Sequence, residues 1–119
     1  DWLTRDERIV DAYNRDPLCG FVPACGLLRD MMKGILYIEQ PKNLENMKKH
    51  LPVLLIAGQE DPVGNYGKGV EQTAKEMKKA GMVRLRTKLF PECRHEILNE
   101  LNRQEVYQYI SSWLARHIG

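Results

Sequence analysis

The sequence has 119 residues, of which 43% are hydrophobic and 29% are charged, and its formal net charge is +2. This balance is typical of a soluble globular domain and excludes a disordered chain. The basic residues are spread along the sequence, so no nucleic-acid partner is indicated. No apolar run approaches the roughly 20 residues that cross a bilayer. The three cysteines are odd in number and lack the spacing of a zinc site, which favours the reducing cytoplasm.

The first part of the chain is predicted to be helical. It opens Asp-Trp-Leu-Thr-Arg-Asp, with no initiating Met and no signal-peptide pattern, and this start predicts a chain cut from something longer. Thr4 and Glu7 have the spacing of a capping box, which predicts a first helix that Asp16-Pro17 ends. The residues from Asp16 to Gly26 hold two Pro, two Gly and two Cys, and a loop is expected there.

A second helix is predicted between Leu27 and Ile38, where apolar residues recur at helical spacing. We expect Pro41 to stop this helix and Asn43 to cap a short turn that runs through Lys49. A stripe of this kind is usually part of a core. The alternative is that it lines a pocket for an acyl chain, because methionine side chains adapt to flexible ligands.

The second half of the chain is predicted to alternate between strands and helices. A run of apolar residues indicates a buried strand, and an alternating pattern indicates a half-buried one. The predicted elements are a strand over 52–57, a helix over 67–80 capped by Gly81, a strand over 83–90 and a helix over 103–117. This order indicates parallel strands. Two strands do not make a stable open sheet, so we expect further strands from a preceding segment or from another subunit.

Two residues that are able to carry chemistry follow the two predicted strands. Asp61 comes after the first strand and His95 after the second. Ligands of open α/β sheets bind beyond the carboxyl ends of the strands, so both loops are expected at one edge. A histidine base needs a carboxylate on its other ring nitrogen, and the order acid then base is that of α/β-hydrolases. The simpler alternative is that Asp61 starts a turn and His95 caps the last helix.

The surrounding strings are more specific than the spacing. LPVLLIAGQEDPVGNYGKGV, LFPECRHEILNE and the opening WLTRDERIVDAYNRDPLCGF closely resemble the monoacylglycerol lipase and lysophospholipase-like branch of the α/β-hydrolases, the serine aminopeptidase S33 group. The resemblance covers essentially the whole chain and implies that Asp61 is the catalytic acid and His95 the catalytic base. It implies no cofactor and no metal. It also implies a division into a helical cap and cap-to-core segment (1–50) and the C-terminal βαβα part of the α/β-hydrolase core (51–119).

The sequence departs from this family at the nucleophile, which the family carries in a Gly-x-Ser-x-Gly elbow. The only serines are Ser111 and Ser112, which no glycines flank and which fall in the last predicted helix. We therefore expect an ester hydrolase for lipid or other small esters as the full-length protein, and no activity from this chain alone. The rival hypotheses are a non-catalytic binding protein on a degenerate hydrolase fold and a hydrolase for another substrate class, such as peptides. The sequence leaves open a peripheral contact with a membrane.

Three further residues near His95 carry weaker hypotheses. Cys93 lies two residues before His95, but neighbours at that spacing in a loop rarely point at each other, so a Cys-His pair is disfavoured. Glu96 and Glu100 are candidates for binding a basic group of the substrate. The preferred interpretation is that both belong to a solvated helix start, where the helix dipole favours acidic residues.

Overall fold

The computed structural model describes residues 1–118, and the order of its elements is the predicted one, helical first and alternating afterwards. The chain contains five α-helices and two strands in the described residues, and a short 3₁₀ helix over Ile97–Asn99. The α-helices and strands are α1 (Glu7–Arg15), α2 (Cys25–Ile38), α3 (Pro41–Leu44), β1 (Val53–Gly58), α4 (Lys68–Lys79), β2 (Leu85–Phe90) and α5 (Arg103–Ala115).

The sheet consists of β1 and β2, which pair in parallel as predicted, with Val53 opposite Leu85 and Gly58 opposite Phe90. The ladder continues past the ends of the strands. The backbone N–H of Gln59 donates to the carbonyl of Phe90 at 2.9 Å, and that of Glu60 donates to the carbonyl of Cys93 at 2.9 Å. The loops that follow the two strands therefore leave the same edge of the sheet already attached to each other.

Local capping agrees with the sequence in one helix and differs in two others. Helix α4 ends as predicted, because Gly81 has φ +93° and its N–H and that of Met82 bond back to Lys78 and Met77. The capping box predicted at Thr4 is wrong, since Asp6 is the N-cap of α1 and accepts the N–H of Arg8. Asn43 likewise lies inside a short helix that begins at Pro41 and does not cap a turn.

The core is shared by the strands, α5 and the segment that follows β2. Phe90, Cys93, Ile97 and Val106 are buried there, and Ile56, Tyr109 and Ile110 pack against them. The rings of Phe90 and Tyr109 meet edge to face with their centroids 5.7 Å apart, a favourable aromatic geometry. This core joins β1, β2 and α5, and it holds the loop of His95 in place through the buried side chains of Cys93 and Ile97.

Helix α2 contributes nothing to that core. None of its residues is buried, and its large apolar side chains are exposed: Leu27, Leu28, Met31, Met32, Ile35, Leu36, Tyr37 and Ile38. Within residues 1–118, therefore, this stripe packs in no core. No helix among residues 1–118 is long and apolar enough to cross a membrane.

Candidate active site

Asp61 lies in the loop between β1 and α4, and its position is fixed by the backbone of that loop. Its carbonyl accepts the N–H of Tyr66 at 2.8 Å, and its Oδ1 accepts the N–H of Val63 at 2.9 Å. The residue is 6% exposed. One carboxylate oxygen is thus occupied by the turn that the sequence predicted, and the other is left for a partner.

That partner is His95. Its Nδ1 lies 3.1 Å from Oδ2 of Asp61, and the His95 side chain is 39% exposed. The structure brings together the two residues that the sequence proposed as acid and base. It also contradicts the helix-capping alternative, because the 3₁₀ helix is preceded by Glu96 and α5 begins only at Arg103. With Nδ1 turned to the carboxylate, Nε2 lies on the far side of the ring.

The backbone around His95 is held by three consecutive N–H groups. The N–H of Arg94 donates to Oε1 of Glu100 at 2.8 Å, that of His95 to the carbonyl of Trp2 at 3.3 Å, and that of Glu96 to the carbonyl of Leu3 at 2.8 Å. The ring of Trp2 also lies beside the imidazole, with the two centroids 5.1 Å apart. The first residues of the chain therefore form one wall of the site.

Glu100 is the most deeply buried charged group near the site, with no solvent exposure. Burial by itself raises the pKa of this carboxyl. The N–H donors of Arg94, Arg5 and Leu101 outweigh burial and hold the pKa below its ordinary value. The sequence-based interpretation of Glu100 as part of a solvated helix start is therefore wrong, and the roles of Glu100, Arg5 and Trp2 were missed.

The lowered pKa of Glu100 predicts how the free energy of unfolding depends on pH. A carboxyl whose pKa is lower in the folded than in the unfolded protein stabilises the fold above the unfolded value, about 4.3. This contribution is lost as the pH falls through the folded value. We expect Glu100→Gln to melt at a lower temperature than the unmutated protein at pH 7. The gap between the two melting temperatures should become smaller below about pH 4. Thermal denaturation followed by circular dichroism between pH 7 and pH 3 measures this gap.

Glu71→Gln is the matched control for this pH dependence, because Glu71 is exposed on α4 and has no ion-pair partner among residues 1–118. It should leave the gap near zero at every pH. A gap for Glu100→Gln that stays constant from pH 7 to pH 3 would contradict the predicted linkage.

Gly58, the last residue of β1, is where the acid loop and the base loop come closest. A Cβ at this position would overlap the carbonyl oxygens of Cys93 and Arg94 far inside contact distance. Only glycine lets one backbone pass so near another. The distance between Asp61 and His95 therefore depends on Gly58, a residue without a reactive side chain.

Cys93 is unsuited to the role of a nucleophile. Its side chain is fully buried, burial raises the pKa of the thiol, and Sγ donates to Oδ1 of Asn102 at 3.2 Å. A nucleophilic cysteine needs an accessible thiolate, so the structure supports the sequence-based preference against a Cys-His pair. Glu96 is half-buried and accepts a hydrogen bond from the side chain of Asn99 at 2.7 Å.

The described part of the chain offers no set of ligands for a metal ion. Residues 1–118 contain no group of three His, Cys, Asp or Glu side chains that could hold a metal ion. The pair of His95 and Asp61 lacks a third such ligand.

Comparison with known proteins finds similar lipases and esterases. The chain is 27% identical over 123 aligned residues to a monoacylglycerol lipase of Mycolicibacterium smegmatis, an alignment that covers 99% of this chain and 40% of that protein. A thermostable carboxyl esterase from Bacillus coagulans, solved in complex with glycerol, has 32% sequence identity and a TM-score of 0.88, and the match covers 100% of this chain and 39% of the esterase. A lipase in an open form has 24% identity and a TM-score of 0.80, covering 94% of this chain and 36% of the lipase, and this likeness concerns the fold alone.

These matches agree with the resemblance drawn from the sequence. The chain spans about 40% of the length of the curated relative that it matches. The family model described as serine aminopeptidase, S33, matches residues 1–102, which is most of the chain. The chain therefore belongs to the serine aminopeptidase S33 family, and it has the fold of the C-terminal portion of an α/β-hydrolase.

Proposed function

We propose that the protein containing this chain is a serine ester hydrolase in which Asp61 is the acid and His95 the base of the catalytic triad. The observation that carries the proposal is the 3.1 Å distance between His95 Nδ1 and Asp61 Oδ2, at the carboxyl edge of the sheet. A buried carboxylate that binds one imidazole nitrogen fixes the tautomer, so that the other nitrogen is free to take a proton.

The proposed reaction divides ester hydrolysis into two steps. A serine hydroxyl attacks the ester carbonyl while Nε2 of His95 takes its proton, and Asp61 stabilises the imidazolium that forms. The imidazolium then gives this proton to the leaving alcohol, which departs and leaves an acyl-serine. In the second step water attacks the acyl-serine while His95 takes a proton from the water. His95 then gives this proton to the serine oxygen, and the carboxylic acid leaves.

The serine must come from outside this chain. Ser111 and Ser112 lie well inside α5 and are exposed, and neither is followed or preceded by glycine. We propose that a preceding segment of the same protein, or another subunit, supplies the nucleophile and the remaining strands. In this arrangement residues 1–50 belong to a helical cap and its return to the core, and residues 51–119 complete the core.

The proposed substrates are lipid esters such as monoacylglycerols or lysophospholipids. Two observations support this class. One relative is a monoacylglycerol lipase, and one structural neighbour is a carboxyl esterase solved in complex with glycerol. The exposed apolar side chains of α2 provide a surface suited to an acyl chain, with Met31 and Met32 able to adapt to its shape. Such substrates favour a peripheral contact with a membrane, and the three free thiols favour the cytoplasm.

The first test uses residues 1–119 alone. Because no nucleophile elbow is present, we expect no hydrolysis of p-nitrophenyl butyrate above a His95→Ala control of the same length. The protein expressed with every residue that its gene encodes should hydrolyse the ester and react with a fluorophosphonate probe, and it should act poorly on aminoacyl naphthylamides.

Two outcomes would contradict this assignment. Turnover by residues 1–119 clearly above the His95→Ala control would show that the nucleophile lies within the chain. A full-length protein without ester turnover and without probe labelling would favour the non-catalytic binding protein, and faster cleavage of the naphthylamides would favour a peptidase.

A further inference from the structure

Glu100 connects the start of the chain to the loop that carries His95. Its carboxylate accepts four N–H groups: those of Arg94 at 2.8 Å and Arg5 at 3.2 Å on Oε1, and Arg5 Nε at 2.9 Å and Leu101 at 3.2 Å on Oε2. Both oxygens are therefore fully used, and the carboxylate is closed to solvent. A carboxylate in this position serves as a fixed joint between the start of the chain and the loop that carries His95.

The backbone of His95 depends on this joint in two ways. Glu100 binds the N–H of Arg94 directly, one residue before the histidine. It also holds Arg5, and so the segment from Asp1 to Asp6, whose carbonyls at Trp2 and Leu3 accept the N–H groups of His95 and Glu96. Further contacts attach the same segment to the loop and to the start of α5, among them Thr4 Oγ1 to the carbonyl of Asn99 and Arg103 to Asp6.

Stability alone is a weak reason for such a cluster. Desolvating a carboxylate and a guanidinium costs several kcal/mol per ion before their attraction is counted, and apolar replacements of buried ion pairs are often neutral or stabilising. The His95 side chain, in contrast, is 39% exposed and meets Asp61 through one contact. An exposed side chain is held in place by its backbone, and the backbone of residues 94–96 has all three N–H groups bound.

We propose that Glu100 is a positioning residue, which fixes the backbone of residues 94–96 so that His95 Nδ1 stays opposite Asp61 Oδ2. Its effect on catalysis rests on the proposed hydrolase function, whereas its effect on the His95–Asp61 contact does not. Glu100 itself does not touch the substrate. It acts through Arg94 on one side and through Arg5 and the Asp1–Asp6 segment on the other.

The test uses Glu100→Gln in the protein expressed with every residue that its gene encodes. The unmutated protein should show a far-downfield proton NMR resonance from His95 Nδ1–H bound to Asp61, which His95→Ala removes and so assigns. In Glu100→Gln an amide NH₂ faces donors where a carboxylate oxygen stood, so the loop shifts. We expect this resonance to be lost or strongly broadened and kcat for p-nitrophenyl butyrate to fall about 10²-fold, because small misplacements of a catalytic group have effects of that size. KM should change little.

Two further variants separate positioning from a general loss of stability. Tyr107→Phe removes a 2.7 Å hydrogen bond to the carbonyl of Leu98 in the same loop without touching residues 94–96, and it should keep both the resonance and kcat. Glu100→Asp keeps the charge but is one methylene too short to reach Arg94, so it should lose kcat as Glu100→Gln does. Glu100→Asp also takes the place of Glu100→Gln in this test if Glu100→Gln does not fold. All rates are compared at a temperature where circular dichroism shows each variant to be folded.

The outcomes that overturn the proposal are distinct from failure of the proposed function. The proposal is overturned if Glu100→Gln keeps the resonance or if Glu100→Asp has normal kcat. Either result would show that Glu100 only stabilises the fold. Equal losses in Tyr107→Phe would show the same. If the protein hydrolyses no ester at all, the proposed function fails, and the resonance in the unmutated protein and its loss in Glu100→Gln still test the positioning role.

Discussion

Replacing Asp61 by asparagine in the full-length protein should lower kcat for ester hydrolysis about 10⁴-fold, the size of the effect known for the acid of serine proteases. The amide has nearly the shape of the carboxylate, and its oxygen can still accept the N–H of Val63. Its NH₂ would then face Nδ1 of His95 as a donor. Nδ1 would have to become an acceptor, which moves the ring proton to Nε2 and leaves no base for the serine.

Steady-state kinetics with p-nitrophenyl butyrate measures this loss, and Glu60→Gln is the matched control. Glu60 is the neighbouring acid and it is exposed. The control should keep kcat within about twofold of the unmutated protein. Surface substitutions of this kind usually change the free energy of unfolding by no more than ~0.5 kcal/mol. Near-normal kcat in Asp61→Asn, or an equal loss in Glu60→Gln, would remove Asp61 from the site.

The second large effect is expected at Gly58. Gly58→Ala should destabilise the protein by at least about 3 kcal/mol, the upper part of the range for overpacked interiors, since the atoms in the way are backbone rather than side chain. The overlap with the carbonyls of Cys93 and Arg94 is relieved only when the two loops move apart. Activity should fall together with stability, because the same movement separates His95 from Asp61.

Urea denaturation and ester turnover of the same preparation measure both effects. Gly34→Ala is the control, since Gly34 lies inside α2 and a Cβ there would meet nothing within 4 Å. Alanine is the better helix former, so this variant should be neutral or more stable by up to about 1 kcal/mol. A Gly58→Ala protein as stable and as active as the control would show that the two loops do not depend on their close approach.

The acid and the base were predictable from sequence because their position follows from chain order. A carboxylate after one parallel strand and an imidazole after the next must meet at one sheet edge, and the structure has Asp61 and His95 in contact there. The strand, helix and turn pattern around them is local as well, as the left-handed Gly81 after α4 illustrates. Information of this kind lies within a few residues of the element that it specifies.

Glu100 and Trp2 were not predictable in the same way, because their partners are far away in the chain. Nothing within ten residues of Glu100 indicates that Arg5 will neutralise it, and an acidic residue before a helix usually faces solvent. Thr4 shows the same limit. Its capping-box spacing with Glu7 is real, but its hydroxyl bonds to the carbonyl of Asn99, and Asp6 caps the helix instead. Tertiary partners here outweighed the local pattern on which the prediction was based.

The contact between Arg5 and Glu100 joins residues 95 positions apart, almost the full length of the chain. The entropic cost of closing a loop rises by about 0.6 kcal/mol for every doubling of its length. The chain loses this entropy before the contact itself stabilises the fold. Non-local contacts of this kind form late in folding and make it slow. If Glu100 positions the loop as proposed, His95 comes into register with Asp61 only after residues 5 and 100 have met. A local opening that releases the first six residues should then take the base from the site while β1 and β2 stay paired.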